Sequence, residues 1–379
     1  MRRGNDFMGV PLLVQHVQWV LQIVPEHRYS RVSRSQRIEE SFLETPPRRP
    51  VTDVACAGEA MAMFVTEHTG PLTEDTRYRI SAAGAEANVA RYLARLGASS
   101  AWISRLGADP FGDFIVAEMA RDGVDVSAVE RDANRPTGVA FKERRPAGTA
   151  VHYYRRDSAA SALGASAAAR AWALEPRILH LSGITPALSE DCRAFMTAAV
   201  DARPRDGVVS FDVNWRPALW PGSDSGVLRT IAQAADLVFV GLDEAQSAWG
   251  LGDVAAVRAA IDGPSILVVK RGAGGCTVFD GDRRIEVPAL RVDVTEPVGA
   301  GDAFAAGFLH GWLSGADPKH AARMGTIVAS SALSVHTDVG ALPGREYIEG
   351  LLALGDDEWE FASYSPGHET RTPAHVANR

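Results

Sequence analysis

Glu296-Pro297-Val298-Gly299-Ala300-Gly301-Asp302-Ala303-Phe304-Ala305-Ala306-Gly307-Phe308 is the stretch on which the reading of this chain turns. Small residues come first, then one carboxylate, then an apolar run. Gly299-Ala300-Gly301 carries no bulky side chain, so its backbone N–H groups can face a ligand at close range. Phe304, Phe308 and Trp312 recur at i, i+4 and i+8, which predicts a helix beginning at this turn. The N-terminal end of that helix is its positive end, and with the free N–H groups it makes an anion hole suited to phosphate. Asp302 falls in the first turn, where it can take a proton from a nucleophile beside a transferring phosphoryl group. Neither GxxxxGKS nor GxxxxGKT occurs in the sequence, so this is phosphoryl chemistry without a Walker-type loop. A glycine-rich turn ahead of an ordinary core helix would explain the glycines alone equally well, because short motifs are weak.

A second stretch narrows the choice. Ala83-Gly84-Ala85-Glu86-Ala87-Asn88-Val89-Ala90, followed by Leu93-Ala94-Arg95-Leu96-Gly97, lies more than two hundred residues upstream. In this order the two stretches resemble the paired signatures of the ribokinase-like (PfkB) family of sugar kinases, over roughly residues 51–345. The resemblance implies that Asp302 is the catalytic base and that Gly299, Ala300 and Gly301 supply anion-hole N–H groups. It also implies that Gly84 and Asn88 hold the sugar. Ala83 stands where the family has a glycine, a departure expected to crowd the substrate loop slightly.

Length and composition fit such an enzyme. The chain has 379 residues, enough for one large α/β domain or two smaller ones. Hydrophobic residues make up 46% and charged residues 23%, the balance of a soluble globular protein. A net charge of −8 argues against nucleic-acid or anionic-membrane partners. It leaves room for an anionic small molecule, since nearby arginines outweigh a distant, screened charge. Cys56, Cys192 and Cys276 are widely spaced and odd in number, which suits free thiols in a reducing cytoplasm. Residues 11–24 come closest to a membrane segment, but Gln15, His16, Gln18 and Gln22 interrupt them and no cleavage site follows.

Along the chain, residues 1–50 stand apart as an N-terminal extension, Arg/Ser/Glu-rich and ending Pro46-Pro47-Arg48-Arg49-Pro50, and are expected to be disordered. The kinase domain is expected over 51–356 and a polar tail over 357–379. Within the domain, Ile178–Ser182, Val208–Asp212, Leu237–Val240 and Ile266–Lys270 are short apolar runs separated by alanine-rich helical stretches. That alternation reads as α/β, a mostly parallel sheet sandwiched by helices, with ligands beyond the carboxyl ends of the strands. Gly138–Arg144 and Thr149–Arg156 break the alternation as a hairpin around Arg145-Pro146-Ala147-Gly148. With further strands from about 61–78, the hairpin suits the small β-lid of the sugar kinases.

Strand periodicity puts Val151, Tyr153 and Arg155 on one face of that hairpin. Tyr153-Tyr154-Arg155-Arg156 resembles the 2-keto-3-deoxygluconate kinases of the family, which implies that Tyr153 and Arg155 contact an acid sugar. A solvated lid edge is the plain alternative. Asp212-Val213-Asn214-Trp215-Arg216-Pro217-Ala218-Leu219-Trp220 resembles a string shared by fructokinases and ketodeoxygluconate kinases. Arg216 can grip a carboxylate through parallel N–H bonds. On the nucleotide side, Lys270 and the turn bearing Gly272, Gly274 and Gly275 are expected near the ATP phosphates. Glu244 is expected to bind Mg²⁺ through water, with Gly241 where the family often has asparagine. Met324–Val339 is expected to line the adenine pocket, with ordinary helix packing as the alternative.

Taken together, the expectation is a cytoplasmic ATP- and Mg²⁺-dependent kinase acting on 2-keto-3-deoxy-D-gluconate. It has no nucleic-acid or membrane partner, and the resemblance implies a homo-oligomer. A fructokinase is the nearest alternative, and a catalytically silent sugar-binding regulator a remote one.

Overall fold

The computed structural model describes residues 52–70, 72–145, 148–220 and 225–365. The extension expected at 1–50 and residues 366–379 of the tail lie outside the described residues.

Strands β1 (Val54–Ala57), β2 (Met61–Thr66), β3 (Tyr78–Ala83), β4 (Ser100–Ile103), β5 (Arg105–Gly107), β6 (Glu130–Asp132), β7 (Val139–Arg145) and β8 (Gly148–Tyr154) come from the first part of the chain. The second part adds β9 (Ile178–Ser182), β10 (Val208–Asp212), β11 (Leu237–Gly241), β12 (Ile266–Lys270), β13 (Cys276–Asp280) and β14 (Arg283–Val287). The helices in the first half are α1 (Ala85–Arg95), α2 (Pro110–Arg121), α3 (Ser166–Ala173) and α4 (Glu190–Asp201). They continue with α5 (Gly226–Ala234), α6 (Leu242–Trp249), α7 (Val254–Ala260), α8 (Ala300–Leu313), α9 (Pro318–Leu333), α10 (Arg345–Leu352) and α11 (Asp356–Phe361).

Eight strands form the main sheet in the order β14-β13-β12-β11-β10-β9-β1-β4. From β12 to β4 all neighbours are parallel, while β13 and β14 add an antiparallel edge. The central strands are buried on both faces and mostly apolar, as burial between two helical layers demands, with His180 of β9 and Ser210 of β10 paired at 3.0 Å as a buried polar exception. Val54 and Cys56 point into one core with α1, α8 and α9, and Ala55 and Ala57 into a second core with α3, α4 and α5. The architecture is therefore helix, sheet, helix. In register, Asp212 lies beside Ser182, and Gly241 beside Lys270, so these strand ends share one edge of the sheet.

A separate four-stranded sheet runs β3-β2-β7-β8. One face carries Phe64 stacked on Phe141 at 4.9 Å, with Tyr78 edge-on to both rings. Met61, Met63, Val65, Ala83 and Ala140 form an apolar cluster of their own. Ala83 is buried in this cluster beside Met61 and Met63.

One expectation needs correction. Residues 357–365 do not begin a solvated tail: Trp359 is 1% exposed and donates its indole N–H to the Pro288 carbonyl at 2.9 Å. Its ring also lies 4.6 Å from the Arg323 guanidinium, a cation–π contact that fixes α11 on α9. On the α9 side, Met324, Ile327, Val328 and Ala332 are buried in the same cluster as Phe304 and Phe308 of α8.

Candidate active site

Asp302 sits in the first turn of α8 and is 8% exposed. The turn before it is sharp because Gly299, the residue capping α8, adopts φ 86°. A Cβ there would lie 2.4 Å from the Asp338 carbonyl oxygen, so only glycine fits. Two asparagine amides reach the carboxylate. Asn88 Nδ2 of α1 donates to Oδ2 at 2.8 Å, and Asn214 Nδ2, just past β10, donates to Oδ1 at 3.3 Å. Asn214 is held at φ 40°, a left-handed conformation costing roughly 1–3 kcal/mol for a non-glycine residue. The Oδ1 atoms of both asparagines are buried without a hydrogen-bond partner among the described residues. Buried acceptors without a donor are uncommon in folded proteins, and here two of them flank one carboxylate.

Burial pushes the Asp302 carboxyl up to about 7, against the hydrogen bond from Asn88 and with help from the Asp212 charge. A carboxylate so tuned is matched to accept a proton near neutral pH. Beside it, Lys270 Nζ bonds both oxygens of Asp212, at 3.0 and 2.9 Å. Burial alone would lower the lysine; the Asp212 and Glu244 carboxylates hold it above its ordinary value, so it stays an ammonium. A Cβ on Gly301 would stand 3.3 Å from that ammonium, which places Lys270 against the α8 turn. Gly272–Gly274 form a single 3₁₀ turn after β12, and the Arg271 N–H closes it on the Gly275 carbonyl at 2.7 Å.

Glu244 opens α6, where its Oε2 accepts the Gly241 N–H at 2.8 Å and its Oε1 lies 3.4 Å from Arg216 Nη1. Burial raises its carboxyl, countered by the Lys270 charge. The Arg216 side chain is 51% exposed, and its guanidinium also donates to the Trp215 carbonyl at 3.0 Å. Its field reaches both Asp302 and the Tyr153 phenol.

From the small sheet, Tyr153 is 53% exposed, and the Arg155 guanidinium lies 5.9 Å from its ring centroid. Arg155 is not a free cation: it forms a buried ion pair with Glu59, whose other oxygen accepts the Ser158 hydroxyl at 2.5 Å. Gly84 packs directly on that corner. A Cβ there would meet the Glu59 carbonyl oxygen at 2.1 Å, so the backbone approach requires glycine.

The fold therefore gathers Asp302, Asn88, Gly299, Ala300, Gly301 and Lys270 at one place, with Arg216 and Tyr153 in electrostatic reach. Asn214 and Asp212 join them, though sequence reasoning singled out neither as a site residue. Both lie in the Asp212–Arg216 string at a strand end, the signal that could have found them. Glu59 was legible only as a polar residue after the first strand. Among the described residues no group of three or more His, Cys, Asp or Glu forms a metal cage.

The family model described as "pfkB family carbohydrate kinase" matches residues 51–343. A 2-dehydro-3-deoxygluconokinase of Bacillus subtilis is 36% identical over 79% of this chain and 95% of its own length. One from Thermoproteus tenax is 33% identical over 81% of this chain and 96% of its own. The crystal structure of a PfkB protein from Polaromonas sp. JS666 superposes with a TM-score of 0.71 at 34% identity, covering 79% of this chain and 99% of that one. With a family match running from the first strand to beyond α9, and relatives that agree over almost their whole lengths, the chain belongs to the pfkB family of carbohydrate kinases.

Proposed function

We propose that this kinase transfers the γ-phosphoryl group of ATP to the terminal primary hydroxyl of 2-keto-3-deoxy-D-gluconate (2-dehydro-3-deoxygluconate), giving the 6-phosphate. The observation that carries the reading is Asp302, a buried carboxylate held near neutrality at a helix N-terminus, flanked by two asparagines with unused acceptors. The names of the two curated relatives support the acid sugar as substrate.

In this account the Oδ1 atoms of Asn88 and Asn214 accept hydrogen bonds from sugar hydroxyls while their N–H₂ groups aim Asp302 at the reacting oxygen. Asp302 takes that hydroxyl's proton as the new O–P bond forms and the bond to the ADP oxygen breaks. The N–H groups of Gly299, Ala300 and Gly301 face the charge on the transferring group. Lys270 and the Gly272, Gly274 and Gly275 turn lie against the nucleotide phosphates. Arg216, half-exposed, meets the substrate carboxylate, while Arg155, steadied by Glu59, backs Tyr153 and Gly84 on the sugar side. The small sheet closes over the sugar and keeps out water.

The donors suit Mg²⁺. Glu244 would hold the ion through water, and an ion that dehydrates reluctantly takes its other ligands from phosphate and water. When bound, Mg²⁺ neutralises charge on the phosphates. The same reading carries a homo-oligomer acting in the cytoplasm, the former checked by sedimentation.

The test is an ADP-release assay with Mg-ATP and either 2-keto-3-deoxygluconate, fructose, ribose or no sugar. We expect kcat/KM for the acid sugar to exceed that for fructose by about 10- to 100-fold, the scale of one charge-assisted hydrogen bond to a half-exposed guanidinium. A preference for fructose would overturn the substrate assignment while leaving the kinase in place.

A further inference from the structure

Lys142 lies on β7 and is 1% exposed, yet it is a lysine in a sheet whose neighbouring face is methionine and alanine. Its Nζ stands 3.4 Å from Glu296 Oε2 and 3.3 Å from Asp338 Oδ1. Thr149 of β8 adds a hydrogen bond to Glu296 Oε2 at 2.9 Å. Burying one ammonium and two carboxylates is costly, and an apolar side chain would fill the same volume more cheaply. Something other than stability therefore has to account for the lysine.

The two acids are not on neighbouring elements by accident of surface. Glu296 lies three residues before Gly299, and the Thr295 and Glu296 N–H groups are held by the Leu333 carbonyl at 2.7 and 3.3 Å. Asp338 presses on the same turn from the other side, because its backbone carbonyl is the atom that forbids a Cβ at Gly299. Two residues on, the Gly340 N–H donates to the Tyr92 hydroxyl at 2.8 Å, one turn along α1 from Asn88. Lys142 thus joins the small sheet to both segments that shape the α8 turn.

We propose that Lys142 is a positioning residue for phosphoryl transfer: its ammonium, held by Glu296 and Asp338, locks the small sheet to the Gly299 turn, so that seating the sheet and shaping the anion hole are one event. The proposal rests on reading Asp302 and the Gly299 turn as the reacting site. Lys142 touches neither substrate in this account; it acts through the two carboxylates.

Three variants test it. Lys142→Ala leaves two unpaired buried acids, whereas Lys142→Met combined with Glu296→Gln and Asp338→Asn keeps the shape and removes every charge. We expect both to lose about 10- to 100-fold in kcat, as a displaced reacting geometry does, with KM for ATP and sugar within about threefold of the parent. Methylammonium should restore kcat to Lys142→Ala saturably and leave the neutral triple variant unmoved. Parental kcat in the triple variant would overturn the proposal. So would failure of the triple variant to fold, since that assigns Lys142 to stability alone. Asp302→Asn run alongside separates the two readings: normal turnover there overturns the site itself, whereas an inert Asp302→Asn beside a fully active triple variant overturns only the role of Lys142.

Discussion

Asp302 carries two demands that pull against each other. To act as the proposed base it must be ionised, yet its burial raises it from 3.8 to about 7. The native fold therefore holds a proton on Asp302 that the unfolded chain has already lost between those two values. The carboxyl contributes nothing unfavourable below about pH 4; its cost grows through the window and is full above pH 7. Asp302→Asn should then melt higher than the parent at pH 8, by an amount on the order of a few kcal/mol, with the advantage shrinking to nothing as pH falls towards 4. One of the two asparagines can turn its oxygen to the new side-chain N–H₂ while the other goes on donating to the remaining oxygen, so both hydrogen bonds to position 302 survive the substitution. Calorimetry across that pH range decides it, and a lower melting point at pH 8 would contradict the burial argument.

At the scale of elements, the α8 turn and α1 do most of the positioning. Helix α8 begins at a residue whose φ of 86° forbids a side chain without strain and whose neighbour Asp338 forbids one by contact. Gly299→Ala should therefore lower kcat by about 100-fold or more through a displaced anion hole. It should also cost roughly 1–3 kcal/mol of stability from backbone strain. Steady-state kinetics with a thermal melt checks both, and unchanged kcat would mean the turn's N–H groups are not engaged. Helix α1 shows the complementary case. Its Asn88 reaches Asp302 across the fold while Tyr92, one turn on, anchors the 340 loop, so one helix ties Asp302 to the segment that packs on the Gly299 turn.

For the whole molecule, the parallel sheet was legible because strands buried on both faces read as unbroken apolar runs, such as Leu237–Val240 and Ile266–Val269. The Gly299 turn was legible as a helix start because small residues lead into apolar residues spaced i, i+4 and i+8, and α8 does begin at Ala300. What the sequence left hidden are pairings made by folding. Nothing local marks Arg155 as the partner of Glu59, or Lys142 as buried, since a lysine in a half-polar strand reads as solvated. Trp359 likewise looks like part of a polar tail until α11 docks and covers it. Asn214 stood in view within a quoted string but gained meaning only when β10 delivered it beside α8.

The central claim is that one carboxylate takes the sugar's proton while the α8 turn holds the transferring group. Single-turnover transfer of the γ-phosphoryl group from ATP to 2-keto-3-deoxygluconate, followed by mass of the sugar product in the parent and in Asp302→Asn, tests it most directly. The account predicts the 6-phosphate from the parent and a rate lower by about 10²–10⁴ in the variant with sugar binding retained, whereas transfer at the parental rate in Asp302→Asn would contradict it.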